Sequence, residues 1–259
     1  MDPSNIIRIR ELNISEMDVG KVQDWLDPSA DQALKIKVKT TISKTFDLTK
    51  PDYITLRDSV PLSAVIVNIY FSMMQQRENE SNKNRKNLFV GHSFAELIFS
   101  STNDKNLLQM DIFATSKIFF PKFCGSAGWM LCSADMQLRT LSFHGLSKDC
   151  DINKWSNAIF KWFADSVRGQ RNPFTKSEWG IVDFTVSSPV INKDDSGVYI
   201  LMCADFLSSE GDRILYNEEQ VAKFRNLLLF DISRGFLNKV NKKKDPCLSM
   251  IHKWQAKPY

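Results

Sequence analysis

Residues 196–207 read Ser-Gly-Val-Tyr-Ile-Leu-Met-Cys-Ala-Asp-Phe-Leu, with Asp205 as the only charge. The apolar residues follow one another instead of marking out a stripe. A helix that is apolar all round has no face for water and must be enclosed by other elements. The chain can supply them: 259 residues, 43% of them hydrophobic and 18 of them Phe, suffice for one large domain or two small ones with a sizeable core. No apolar run approaches the ~20 residues that span a bilayer.

Other elements follow from period and punctuation. Ala33 to Lys39 alternates apolar and basic residues and predicts a strand. Pro51-Asp52 marks a break. Leu62, Val65, Ile66, Ile69, Tyr70 and Met73 recur at helical spacing, so a helix is expected from Pro61 to about Gln76, followed by an exposed loop to Lys86. Strands are expected at Ile112-Phe113, Ile118 to Phe120, Trp129 to Ala134 and Leu138 to Phe143, the last two as a hairpin. Asp151 can cap a helix carrying Trp155, Ile159, Trp162, Phe163 and Val167. Ile181 to Val186 reads as a strand, and Asn217 with Gln220 opens a helix through Val221, Phe224, Leu228 and Ile232. Helix, strands, then mostly helices is an α+β order. The domain is expected over residues 31–240, with an arm at 1–30 and a basic tail at 241–259 that carries Lys242, Lys243 and Lys244.

With 34 basic and 30 acidic residues, the net charge of +4 gives no case for a nucleic-acid partner. Cys124, Cys132, Cys150, Cys203 and Cys247 are an odd, unpatterned set, read as reduced thiols of an intracellular protein, nuclear or cytoplasmic. No CxxC or HExxH spacing occurs, and no metal, cofactor or membrane contact is expected.

Asp195-Ser196-Gly197-Val198-Tyr199 resembles the Asp-Cys-Gly-Val-Tyr/Phe segment of the Ulp/SENP family of SUMO/ubiquitin-like-specific cysteine proteases. The resemblance runs from about Ile42 to Leu237. Leu56, Leu62, Ile66, Asn68 and Tyr70 match the family's Leu…Trp-Leu-Asn-Asp-x-Val-Ile-Asn-Phe-Tyr element. In that element Pro61 replaces the tryptophan and Ala64 an aspartate. Ile118 to Pro121 is similar to the strand before the catalytic histidine. Arg213, Tyr216, Gln220 and Phe224 resemble the closing helix. The resemblance implies a papain-like fold of the Ulp/SENP type, a central mixed sheet flanked by helices. At the functional positions it implies losses: Gly128 where the histidine precedes Trp, His144 in place of the aspartate, Val190 in place of the oxyanion glutamine, and Ser196 in place of the nucleophile. Thiol proteolysis needs a thiolate, a base and oxyanion donors.

The expectation is therefore no enzyme: a catalytically inactive pseudoprotease acting as a scaffold or complex subunit with one or more protein partners. The alternatives are a non-catalytic binder of SUMO or another ubiquitin-like protein, and an active protease carrying an engineered Cys-to-Ser change. Trp129 would be one wall of the family's channel for a Gly-Gly tail, and Pro61 leaves the other wall open. Trp25, between carboxylates in the arm, is the candidate docking anchor. Plainer roles are also open: Ser196 as a helix N-cap, His144 as a turn residue, His92 as a loop residue, Cys132 and Cys203 as small core residues.

Overall fold

The computed structural model describes residues 36–39, 45–57, 60–100, 111–146, 150–167, 174–185, 192–209 and 218–234. The arm with Trp25, the oxyanion position Val190, Arg213, Tyr216, Asn217 and the basic tail lie outside these residues.

Strands β1 (Ile36–Lys39) and β2 (Thr45–Leu48) pair antiparallel as a separate ribbon. Helix α1 (Lys50–Arg57) follows where a break is predicted at Pro51-Asp52. The Thr49 amide donates to Asp52 Oδ2 (3.0 Å) and the Asp52 amide to Thr49 Oγ1 (3.4 Å). Pro51 falls in the first turn, where a missing N–H costs nothing. Helix α2 (Ala64–Asn79) is capped by Ser63, whose hydroxyl accepts from the Ile66 amide. It runs past the predicted end because Glu78 is buried and accepts from Lys83 Nζ and the Asn87 amide, both at 3.0 Å. The following connection is therefore pinned to the helix.

The main sheet has the order β3 (Leu88–Phe89), β4 (Lys117–Phe123), β5 (Trp129–Asp135), β6 (Thr140–Gly145), β7 (Gly180–Thr185). Its central pairings are antiparallel and the two outer ones parallel, so it is mixed. The predicted hairpin is β5–β6. Each parallel pair needs a crossover helix. Helix α3 (His92–Phe99) lies between β3 and β4, and α4 (Ile152–Ser166), capped by Asp151, between β6 and β7. Ile112-Phe113, expected as a strand, is a 3-10 turn, because the Asp111 carboxylate accepts from the Phe113 amide two residues on.

The period of two along β4 and β5 builds a core on each side of the sheet. Ile118, Phe120, Met130, Cys132 and Ala134 pack with Trp155, Ile159 and Phe163 of α4. Phe119, Trp129 and Leu131 pack on the other face, with α2 and α5 (Ser196–Ser208). Every residue of α5 except Asp205 is buried, as its sequence requires. Asp205 pairs with Arg77 of α2. Helix α6 (Glu218–Arg234) packs behind, with Val221, Leu228 and Ile232 in the same core. Among the described residues no helix is long and apolar enough to cross a membrane.

Candidate functional site

The site matched by the resemblance is where the start of α5 meets the start of β5. Asp195, not Ser196, is the N-cap residue of α5, and its side chain makes no capping bond. Ser196 is inside the first turn and 0% exposed. Its Oγ accepts a 2.9 Å hydrogen bond from the Trp129 amide. The expected cap is thus a cross-link between helix and sheet. The next residue, Gly197, allows that approach. A Cβ there would meet Leu62 Cβ at 2.9 Å and Trp129 Cδ1 at 3.0 Å.

Asp195 faces the other way. Its carboxylate accepts from Arg225 Nε at 3.0 Å, and both residues are buried. Arg225 also donates to the carbonyls of Thr55, Val60 and Asp194. One guanidinium on α6 therefore fixes the end of α1, the approach to α2 and the turn before α5. Sequence reading missed Arg225, since nothing in its own helix distinguishes it from a surface arginine.

Gly128 closes a short turn, residues 125–127, at φ +76° and ψ −155°. A Cβ on it would lie 2.4 Å from Ser196 Oγ and 3.0 Å from Ser196 Cβ. The position matched to the family's histidine thus points at Ser196, with no space for a side chain. Trp129 is 1% exposed. Its Nε1 donates to the Leu62 carbonyl at 2.8 Å, the His92 ring meets it edge-on at 4.9 Å, and Phe123 lies at 5.4 Å. The expected channel wall is enclosed by its neighbours, and Pro61 is exposed.

His144 is in β6, not in a turn. Its Nε2 lies 3.3 Å from Ser133 Oγ, and its ring stacks on Phe184 at 5.3 Å. Burial, and secondly the charge of Lys117, push its pKa down to about 4. It is a neutral ring built into the sheet. His92, expected in a loop, opens α3. Its amide donates to Asn68 Oδ1 (2.6 Å), and its Nδ1 lies 3.9 Å from Glu96 Oε1 with no hydrogen bond. The signal was present in the sequence as a His92–Glu96 pair one helical turn apart. Among the described residues no three His, Cys, Asp or Glu side chains gather where they could hold a metal ion.

No protein-family profile and no curated protein matches this sequence. Solved structures do match. The C-terminal Ulp1 protease domain, solved in complex with Smt3, the yeast ortholog of SUMO, superposes with a TM-score of 0.62 at 17% identity, covering 86% of this chain and 96% of that one. The Ulp1-like SUMO protease catalytic domain of Chaetomium thermophilum gives 0.64 at 18%, covering 87% and 91%. This chain has the Ulp-type protease fold. SUMO protease Ulp1 with its catalytic cysteine oxidised to a sulfenic acid gives 0.65 at 16%, over 86% and 96%. At these identities the fold is what is shared, and it is the mixed sheet flanked by helices that the resemblance implied. The expectation of no enzyme does not hold against this: the frame is that of SUMO proteases over most of the chain.

Proposed function

We propose that this chain works by binding protein, as a scaffold or complex subunit built on the Ulp-type frame. The observation that supports this reading most is the commitment of Ser196. Ser196 Oγ accepts from the Trp129 amide, and the residue is 0% exposed, so here the hydroxyl joins helix to sheet in an enclosed contact. On this reading Ser196 is a strut between helix and sheet, His144 is a structural position, and recognition falls to the outer surface, to the arm with Trp25 and to the basic tail. Four free thiols among the described residues go with a location inside the cell, in nucleus or cytoplasm.

A second reading, in which the partner is SUMO or another ubiquitin-like protein, is supported by the Ulp1 domain solved with Smt3, 96% of which is covered by the superposition. One set of samples tests both. The purified full chain is titrated with SUMO and with ubiquitin and separately used to retain partners from native extract, which are identified and re-tested as pure proteins. A defined complex that is lost on deletion of residues 1–30 supports the arm as docking segment. Saturable SUMO or ubiquitin binding supports the second reading. The same samples receive a SUMO precursor. Cleavage by the chain that disappears in Ser196→Ala would make Ser196 a nucleophile and overturn the strut.

A further inference from the structure

The two ends of the five-stranded sheet are finished differently. At one end β3 turns its outer side to α2, whose side chains take its backbone groups. The Phe89 amide donates to Gln75 Oε1 at 2.8 Å, Gln75 Nε2 donates to the Asn87 carbonyl at 3.4 Å, and the Asn87 amide donates to Glu78 Oε1 at 3.0 Å. That edge is sealed. The other end is β7, and among the described residues no strand lies beyond it.

Register sets which groups of β7 point outward. The Gly180 amide donates to the Arg139 carbonyl at 2.9 Å, with Gly180 opposite Thr140. Along a parallel ladder alternate residues bond the same neighbour. Gly180, Val182 and Phe184 therefore face β6, and the N–H and C=O groups of Ile181, Asp183 and Thr185 face away from it. The Thr185 amide is taken by Asp183 Oδ1 at 2.8 Å, which also accepts from Thr185 Oγ1 at 2.6 Å. The outward pairs of Ile181 and Asp183 are left. Gly180 and Asp183 are exposed, and Ile181 is 44% exposed although its register partner Leu141 is fully buried. An open edge is a template for another strand. Its side chains restrict which strand fits. Ile181 and Asp183 share one face, so an added strand meets an apolar group and a carboxylate two residues apart. Among the described residues that carboxylate bonds only to Thr185.

We propose that β7 is a docking edge for an extended segment of a protein partner, added antiparallel as a sixth strand, with a Lys or Arg opposite Asp183 and apolar residues opposite Val182 and Ile181. Along the partner the pattern is basic, apolar, apolar. Two hydrogen-bonded pairs, at Ile181 and Asp183, hold its backbone, and the basic residue distinguishes it from other extended segments. A second copy of this chain fits worse. Two β7 strands paired about Val182 put both Asp183 carboxylates on one face as diagonal neighbours, ~7–8 Å apart. This rests on the chain being a binder of protein.

The test uses the full chain at two concentrations, with amide hydrogen exchange read at single residues by NMR. In the free chain Ile181 and Asp183 should exchange at least about tenfold faster than Val182 and Phe184. Equal protection overturns the docking edge: if it grows with concentration a second copy holds β7, and if it does not, the chain covers β7 itself. Acetyl-Thr-Lys-Val-Ile-Thr-amide at millimolar concentration should then slow exchange at Ile181 and Asp183 and leave Val182 and Phe184 unchanged. Glu in place of Lys in the peptide should weaken binding a few-fold, and Asp183→Lys in the chain should reverse that preference. Ile181→Pro removes one outward N–H and no bond to β6, which an edge strand tolerates. With its circular dichroism unchanged, this variant should bind the Lys peptide about tenfold more weakly. No slowing with the Lys peptide, or equal affinity for it in Ile181→Pro, would overturn the docking edge. A native partner complex that forms equally well in Ile181→Pro would overturn it too, and leave the chain a binder of protein through another surface.

Discussion

Gly128 and Ser196 constrain each other because both the backbone and the space at position 128 exclude a side chain. Its φ and ψ lie in a region that is essentially glycine-only, so Gly128→Ala should cost about 1–3 kcal/mol in backbone strain, with the clash added. Ser196→Gly removes the clashing atoms and none of the strain. In a double-mutant cycle by urea denaturation the pair should couple favourably by about 0.5–3 kcal/mol. Zero coupling would mean that the turn swings away from α5 when substituted. His144 gives a prediction in pH. Its folded pKa of about 4 is below the ordinary 6.5, so stability is full above 6.5 and falls as pH drops from 6.5 towards 4, where the unfolded chain binds a proton that the folded ring refuses. The loss is at most about 3 kcal/mol. The fall in melting temperature between pH 7 and pH 4 should be smaller in His144→Phe, and equal falls would show that the imidazole is not held neutral. Gly128, His144 and Ser196 stood out in the sequence by residue type alone. The Ser196–Trp129 bond was not, because it joins residues 67 apart and depends on how α5 meets the sheet.

At the scale of elements, α5, α4 and the β5–β6 hairpin were legible because their patterns are unambiguous: apolar all round, a capped 3.6-residue period, and a period of two on each side of a polar turn. What failed were short pieces in which side chains bond the local backbone. Asp111 turned an apparent strand into a 3-10 turn, and Thr49 with Asp52 turned a break into a helix start. Arg225 shows what no local pattern reveals. Removing it leaves the Asp195 carboxylate buried without its cation, so Arg225→Leu should destabilise by about 3–5 kcal/mol. Adding Asp195→Asn should recover part of that loss, since the remaining group is neutral. If urea melts give the single and double variants the same midpoint, the cost lies in the carbonyl contacts of Arg225 and not in the ion pair.

Among the described residues the five-stranded sheet is shared by two cores, and this determines how the molecule should unfold. Ile200 of α5 and Ile159 of α4 are both fully buried, on opposite faces of the same strands. Neither core can lose its packing without uncovering the face that the other depends on. Ile200→Val and Ile159→Val should each cost about 0.5–1.5 kcal/mol. For a chain of this size that lowers the melting temperature by roughly 2–4 °C per kcal/mol. The sites lie in separate clusters, so their costs should add within about 0.5 kcal/mol. Far-UV and near-UV circular dichroism should report one coincident transition in both single variants and in the double variant. If Ile159→Val instead separates an early transition from a late one that Ile200→Val alone shifts, the two sides of the sheet are independent units.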